Sequence, residues 1–174
     1  MLGIPIIQTA NGTDITGNEL SASEVQALVR AGTPRLLQGT GISAASLSLG
    51  NQNHLMTGDS QISVLLGGNV APNWNGQFTM GNSSGDQLNF SANGVLDAAS
   101  GALATSANGY SLTAFGANHD QGTLTKNAVR AKLVGSGGNA TGTIGDFGFE
   151  HGAVGPKVDG VFGSDLSPSA AGLN

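Results

Sequence analysis

Residues 75–94 read NGQFTMGNSSGDQLNFSANG. Phe78 and Met80 alternate with Gln77 and Thr79. Leu88 and Phe90 alternate with Gln87, Asn89 and Ser91. A period of two puts the apolar set on one face of a strand and the polar set on the other. The GNSSGD linker at 81–86 is built of turn-forming residues. The stretch predicts a β-hairpin with one buried face.

The same pattern continues downstream. Strands are predicted at 95–97, 102–105, 110–115, 129–134, 141–150 and 157–163. In 129–134, Val129, Ala131 and Leu133 face one way and Arg130 and Lys132 the other. Asn-Gly occurs at 11–12, 75–76, 93–94 and 108–109. This dipeptide suits type I′ turns, so each is expected between strands. About eight antiparallel strands from Asn75 onward would close a small up-and-down barrel, removing exposed sheet edges.

Upstream the chain reads differently. Residues 3–9 (GIPIIQT) suggest a short strand, and 11–18 are turn-rich. Ser21 and Glu24 form a capping-box pattern. Val25, Leu28 and Val29 then make one apolar stripe, and Gly32 and Pro34 stop it. One short helix is predicted near 21–31. Further strands are expected at 42–49 and 61–66. The expected organisation is a handle-like N-terminal portion (1–74), a β-barrel (75–165) and a disordered tail (166–174).

Composition agrees with a mainly β chain. Charged residues are 10% of 174, hydrophobic residues 39%, and glycine fills 29 positions. Uncharged Asn, Gln, Ser and Thr replace the Lys and Glu typical of helical surfaces. The formal charge of -5, with no Lys or Arg between Arg35 and Lys126, argues against nucleic acid and anionic membranes as partners. Without cysteine there is no disulfide and no thiolate metal site. No transmembrane segment and no signal peptide are expected from the apolar runs present.

The chemistry-bearing residues are isolated. Gly81-Asn82-Ser83-Ser84-Gly85 matches G-x-S-x-G, but a nucleophile elbow needs a strand before it and a helix after it. Gly-rich 135–142 lacks the lysine of a phosphate loop. Asp59, Asp86 and Asp146 sit beside or near glycines, a faint calcium-loop signal. His54, His119 and His151 each lie in a turn-like setting with no second His at i+3 or i+4. Each reads either as an exposed loop residue or as an axial ligand to haem, with Met56 and Tyr110 as further ligand candidates. Lys126, Arg130 and Lys132 form the one basic cluster. It reads either as a solvated strand face or as an anion site for haem propionates or an acidic partner. No acid, base and nucleophile are paired, so an enzyme is not expected.

The closing segment 141–166, TGTIGDFGFEHGAVGPKVDGVFGSDL, resembles the end of the barrel in transferrin-binding-protein-like bacterial surface lipoproteins. The corresponding features are the small-residue and aromatic strand Thr143 to Phe149, the turn Gly155-Pro156, and the last strand Asp159-Gly160-Val161-Phe162-Gly163. The resemblance covers roughly 75–165. It departs in three places: a phenylalanine-tyrosine-glycine-proline run is replaced by FGFEHGAVGP, Asp159 stands for a glycine, and there is no lipidated cysteine.

The resemblance implies a secreted or surface-exposed bacterial ligand-binding protein in nutrient acquisition. The ligand would be haem or an iron-carrying host protein, with an outer-membrane receptor or secretion partner. It fixes no catalytic residue. The alternative is a structural or adhesive β protein, such as a fibre, capsid or tail component, without a small ligand.

Overall fold

The computed structural model describes residues 6–9, 12–15 and 17–169. It is mainly β with one helix. The long strands are β3 (Arg35–Leu49), β4 (Gln52–Leu66), β5 (Asn73–Gly81), β6 (Gln87–Val95), β10 (Lys126–Ser136), β11 (Asn139–Glu150) and β12 (Lys157–Asp165). Between β6 and β10 run β7 (Ala102–Thr105), β8 (Ala107–Ala114), β9 (Ala117–Asp120) and a 3₁₀ turn at Gln121–Thr123. All pairings are antiparallel, in the order β7-β10-β11-β12-β3-β4-β5-β6-β8-β9.

The two ends of that order meet through one run of chain. β7 pairs with β10, with Thr105 opposite Val129, and β8 pairs with β6, with Ala107 opposite Ala92. Only Ser106 separates β7 from β8. The combined strand switches neighbours at that residue and joins the sheet into a ring. Asn127 holds the switch. Its Oδ1 accepts the Ala107 N–H at 2.7 Å, and its Nδ2 donates to the Ala107 carbonyl at 3.0 Å. The side-chain amide thus replaces a backbone partner where the ladder is interrupted. Asn127→Leu takes this acceptor from the N–H of the fully buried Ala107 and leaves its carbonyl only the longer bond from Gln121 Nε2 at 3.3 Å. A loss of about 2 kcal/mol in urea unfolding is expected, with faster exchange of the Ala107 amide.

The barrel does not begin at residue 75. β3 and β4 belong to the same sheet: β12 pairs with β3 from Lys157 opposite Ser48 to Ser164 opposite Gly41. Their 15-residue length was hidden because β3 is rich in Gly, Ser and Ala, which do not alternate visibly. Gly41 permits a close approach to the neighbouring strand, since a Cβ there would lie 1.9 Å from the Gly163 carbonyl oxygen. The tail expectation also fails over its first residues. Leu166 is buried, its N–H donates to Thr141 O at 2.7 Å, and Ser167–Pro168 (β13) pairs with β3. Residues 170–174 lie outside the described residues.

The Asn-Gly dipeptides at 75–76, 93–94 and 108–109 are inside strands β5, β6 and β8, not between them. Gly76 makes room for rings, since a Cβ would come within 2.5 Å of Trp74 and 2.8 Å of Phe78. Gly109 takes a positive φ of 58° at a bulge opposite β6. The Asn-Gly at 11–12 falls partly outside the described residues. Gly12–Ile15 is a strand (β2) paired with β1 (Ile6–Thr9), where the sequence reads as turn-rich.

Helix α1 (Ala22–Arg30) forms where its capping box predicts. The Ser21 N–H donates to Glu24 Oε2 at 2.9 Å and Ser21 Oγ accepts from the Glu24 N–H. Val25 is buried, Leu28 and Val29 pack on the core, and Glu24 accepts the Gly138 N–H at 3.1 Å. The helix therefore closes the barrel end that carries the β10–β11 turn. The interior is filled by aromatic side chains. Trp74, Phe162, Phe78, Phe90, Phe147, Phe149 and Tyr110 form a continuous run of ring contacts. These side chains occupy the space that a ligand inside the barrel would need.

Candidate functional site at the histidine-bearing end

The end opposite α1 carries the β3–β4, β5–β6, β8–β9 and β11–β12 turns. The register follows directly: Ser48 pairs with Lys157, Glu150 with Lys126, Gly81 with Gln87, and Ala114 with Ala117. His54, His119 and His151 all fall at this end, although they are far apart in sequence. Strand direction, not local spacing, brings them together.

His54 is about one-third exposed and its Nδ1 lies 2.5 Å from Asp86 Oδ2. Asp86 is nearly fully buried. Its Oδ2 also accepts from Asn82 Nδ2 at 2.7 Å, and its Oδ1 accepts the Phe115 N–H at 2.8 Å. Burial alone would raise the Asp86 pKa, but the hydrogen bonds from Asn82, Phe115 and His54 outweigh it, and the carboxyl sits below its usual range. One carboxylate thus ties β4, the β5–β6 turn and the β8–β9 turn together. Phe115 has a positive φ of 50°, unusual for a bulky residue, and its ring lies 4.5 Å from that of His54. His54 Nε2 makes no hydrogen bond among the described residues.

His151 is the inner histidine, 8% exposed. Thr123 Oγ1 donates to Asp120 O at 2.9 Å, so it can only accept from His151 Nδ1, 2.6 Å away. That assigns the neutral tautomer. Nδ1–H donates to Thr123, and Nε2 accepts from Tyr110 O–H at 2.8 Å. The Tyr110 phenol is pushed well above its usual range by burial. The His119 ring lies 5.0 Å from that of His151.

Burial chiefly lowers the His151 pKa. The charge of His119 adds to this and that of Asp120 opposes it. A histidine depressed in the fold stabilises above its unfolded pKa. That stability is lost as pH falls from about 6.5 toward the lower folded value. We expect wild type to lose more thermal stability than His151→Gln between pH 7 and pH 5.

The five haem-ligand candidates therefore separate. Met56 is fully buried in the core, and Tyr110 and both ring nitrogens of His151 are engaged internally. His54 and His119 retain partial exposure. The basic cluster is neutralised in place. Arg130 reaches Asp146 at 2.7 Å, Lys132 reaches Glu19 at 2.7 Å and Lys126 reaches Glu150 at 3.6 Å. Each cation meets an acid on a neighbouring segment, so three unpaired cations do not converge there. Arg130 and Lys132 border a groove of about 890 Å³ on the outer wall, with Val95 and Ile144 on its floor.

The G-x-S-x-G run is a turn between β5 and β6 with no helix after it, and Asn82 Oδ1 accepts the Ser84 N–H at 2.9 Å. The elbow geometry is absent. Asp86 is committed to the three donors named above, and Asp146 to Arg130. Among the described residues, no group of three His, Asp or Glu could hold a metal ion. Asn82, Phe115 and Thr123 were not singled out from sequence. Their roles depend on contacts made across strands.

No family model and no curated protein matches the chain. Solved structures do. A variant of transferrin binding protein B from Haemophilus parasuis Hp5 matches with a TM-score of 0.57 at 12% identity, over 94% of this chain and 32% of that one. A second variant from the same organism gives 0.52 at 12% identity, over 93% and 31%. Intact Ap-TbpB, with N and C lobes, gives 0.51 at 15% identity, over 93% and 32%. The chain spans about a third of the length of these proteins, and it shares the fold of that portion of transferrin binding protein B.

Proposed function

We propose that this chain is a bacterial surface or secreted binding module of iron acquisition, and that it recognises an iron-carrying host protein at its histidine-bearing end. The observation that carries the reading is the filled interior. A barrel packed with aromatic rings offers its partner an outer surface, and a protein fits that better than an enclosed small molecule. The likeness to transferrin binding protein B supports a host iron protein as the partner class. The proposed end presents turns, with Val154 91% and Leu55 46% exposed as apolar contact points. Removing such exposed apolar surface from water favours association.

The test is surface plasmon resonance with purified iron-loaded transferrin, and with haemoglobin as a second iron carrier. Micromolar or tighter binding is expected, on the order of −8 kcal/mol. It should weaken at least roughly tenfold in a Val154→Asp, Leu55→Asp double variant, a loss of about 1.4 kcal/mol. No binding to either protein, together with regular oligomers in light scattering, would favour the structural or adhesive reading.

One observation favours haem as a second reading. A carboxylate on His54 Nδ1 orients the ring, the arrangement common behind ligating histidines. Under this reading His54 is the axial ligand, and a haemin titration gives a Soret band that His54→Ala abolishes.

A further inference from the structure

The outer wall formed by β3, β4, β5, β6 and β8 has an unusual chemistry. Thr40 pairs with Gln61, Gln61 with Gln77, Gln77 with Ser91, and Ser91 with Asn108. A parallel row runs from Gln38 to Ser63, Asn75 and Asn93. Every residue in both rows carries an amide or a hydroxyl, and none carries a charge. The stretch from residue 36 to 125 contains no Lys or Arg. Its Trp, Tyr and Phe side chains are buried in the core or packed against it.

Three features distinguish this wall from ordinary solvated strand faces. Solvated faces are normally dressed with Lys and Glu, whereas the Thr40 row here is uncharged over five strands and the Gln38 row over four. The wall also carries a shallow, open depression of about 580 Å³ bordered by Gln38, Thr40, Gln61, Asn75 and Gln77. Finally, its amides are mostly free. Asn75 donates to Asn73, but the side chains of Gln38, Thr40, Gln61 and Gln77 make no hydrogen bond among the described residues. Each amide offers two donors and one carbonyl acceptor, a match for adjacent hydroxyls that each donate and accept.

We infer that this wall is a binding surface for neutral oligosaccharide, independent of the partner contacted at the histidine-bearing end. The occupant follows from complementarity. Phosphate, sulfate and sialic acid require cations, and this wall has none. An apolar ligand requires exposed rings or branched aliphatics; the rows supply none, and the exposed Ile42 and Val95 lie beyond their edges. A polyhydroxylated, uncharged chain uses every group present. Strand spacing of roughly 4.8 Å and alternate-residue spacing of roughly 6.8 Å give a two-dimensional grid of donors and acceptors over several sugar units. Ordering long Gln side chains costs entropy at each contact, so affinity at one site is expected near the millimolar range, about −4 kcal/mol.

The test is a heteronuclear NMR titration of the whole chain with maltotetraose, cellotetraose and tetra-N-acetylchitotetraose, each against a sialylated tetrasaccharide. At least one neutral sugar is expected to give saturable shifts centred on Gln38, Gln61 and Gln77. A Gln61→Ala, Gln77→Ala variant, both positions being exposed, should weaken that binding at least fivefold while its remaining spectrum stays native. Four results would overturn the inference: no saturable shift with any neutral sugar, shifts centred elsewhere, tighter binding of the sialylated sugar, or a concentration-dependent dimer burying the same wall.

Discussion

Replacing Asp86 by alanine is expected to destabilise the protein by about 3 kcal/mol, roughly a 10 °C fall in melting temperature. The carboxylate is nearly fully buried and accepts from the Asn82 amide, the Phe115 N–H and His54. Alanine removes the acceptor and leaves those donors facing a buried space, which costs more than the bonds themselves contribute. Phe115 would also lose the bond that holds its left-handed backbone. Asp86→Asn keeps the shape, but one of its atoms becomes a donor among donors, so an intermediate loss is expected.

The pH dependence has a definite sign. The Asp86 pKa is lowered in the fold. Its contribution is present above the unfolded carboxyl value of about 4 and is lost as pH falls through the folded value. Urea unfolding at pH 7 and pH 3 checks both parts. A loss below about 1 kcal/mol at pH 7 would mean that β4 and the two turns are held by other contacts.

Gly160→Ala is expected to cost about 3 kcal/mol by overpacking. Gly160 pairs with Phe147 across β12 and β11, and a Cβ on it would lie 2.1 Å from Phe147 Cζ. The Phe147 ring cannot withdraw, because it is buried with Phe90 at 4.9 Å and Phe149 at 5.5 Å. The neighbouring pair repeats the device, with Gly145 opposite Phe162 and a Cβ–Cζ approach of 2.3 Å. Each glycine lets a ring from the adjacent strand lie over its backbone. Phe147→Leu in the Gly160→Ala background should recover part of the loss, with a coupling above about 1 kcal/mol by double-mutant cycle. Additive losses would show that the ring and the glycine do not share space.

Those paired glycines also explain what could be read from the chain. The alternation around Phe78 and Leu88 is preserved in β5 and β6, and Ser21 with Glu24 places the helix to within a residue. These are local signals, and local physics sets them. β3 and β4 are legible only over 42–49 and 61–66, because their inward positions include Gly and Ser as well as large apolar residues and no strong period appears over their full length. The Asn-Gly dipeptides misled because the barrel uses glycine for close packing as well as for turns. Gly76 shows this beside Trp74 and Phe78.

The site was less legible than the fold. His54, His119 and His151 were recognisable as candidates one at a time. Their common end depends on the antiparallel order of the strands that separate them around the barrel. Asp86 carries only a glycine neighbour as a signal, while its role depends on contacts such as the N–H 29 positions away at Phe115. The pairing of Arg130 with Asp146 depends on the β10–β11 register, which strand periodicity alone does not specify.

The central claim is that this filled barrel binds an iron-carrying protein through its histidine-bearing end. Hydrogen exchange measured with and without iron-loaded transferrin tests it most directly. The account predicts new protection in the turns around residues 50–55, 82–86, 115–125 and 151–156, with the α1 end unchanged. Protection confined to the α1 end or the outer wall, or an exchange pattern that transferrin leaves unaltered, would contradict it.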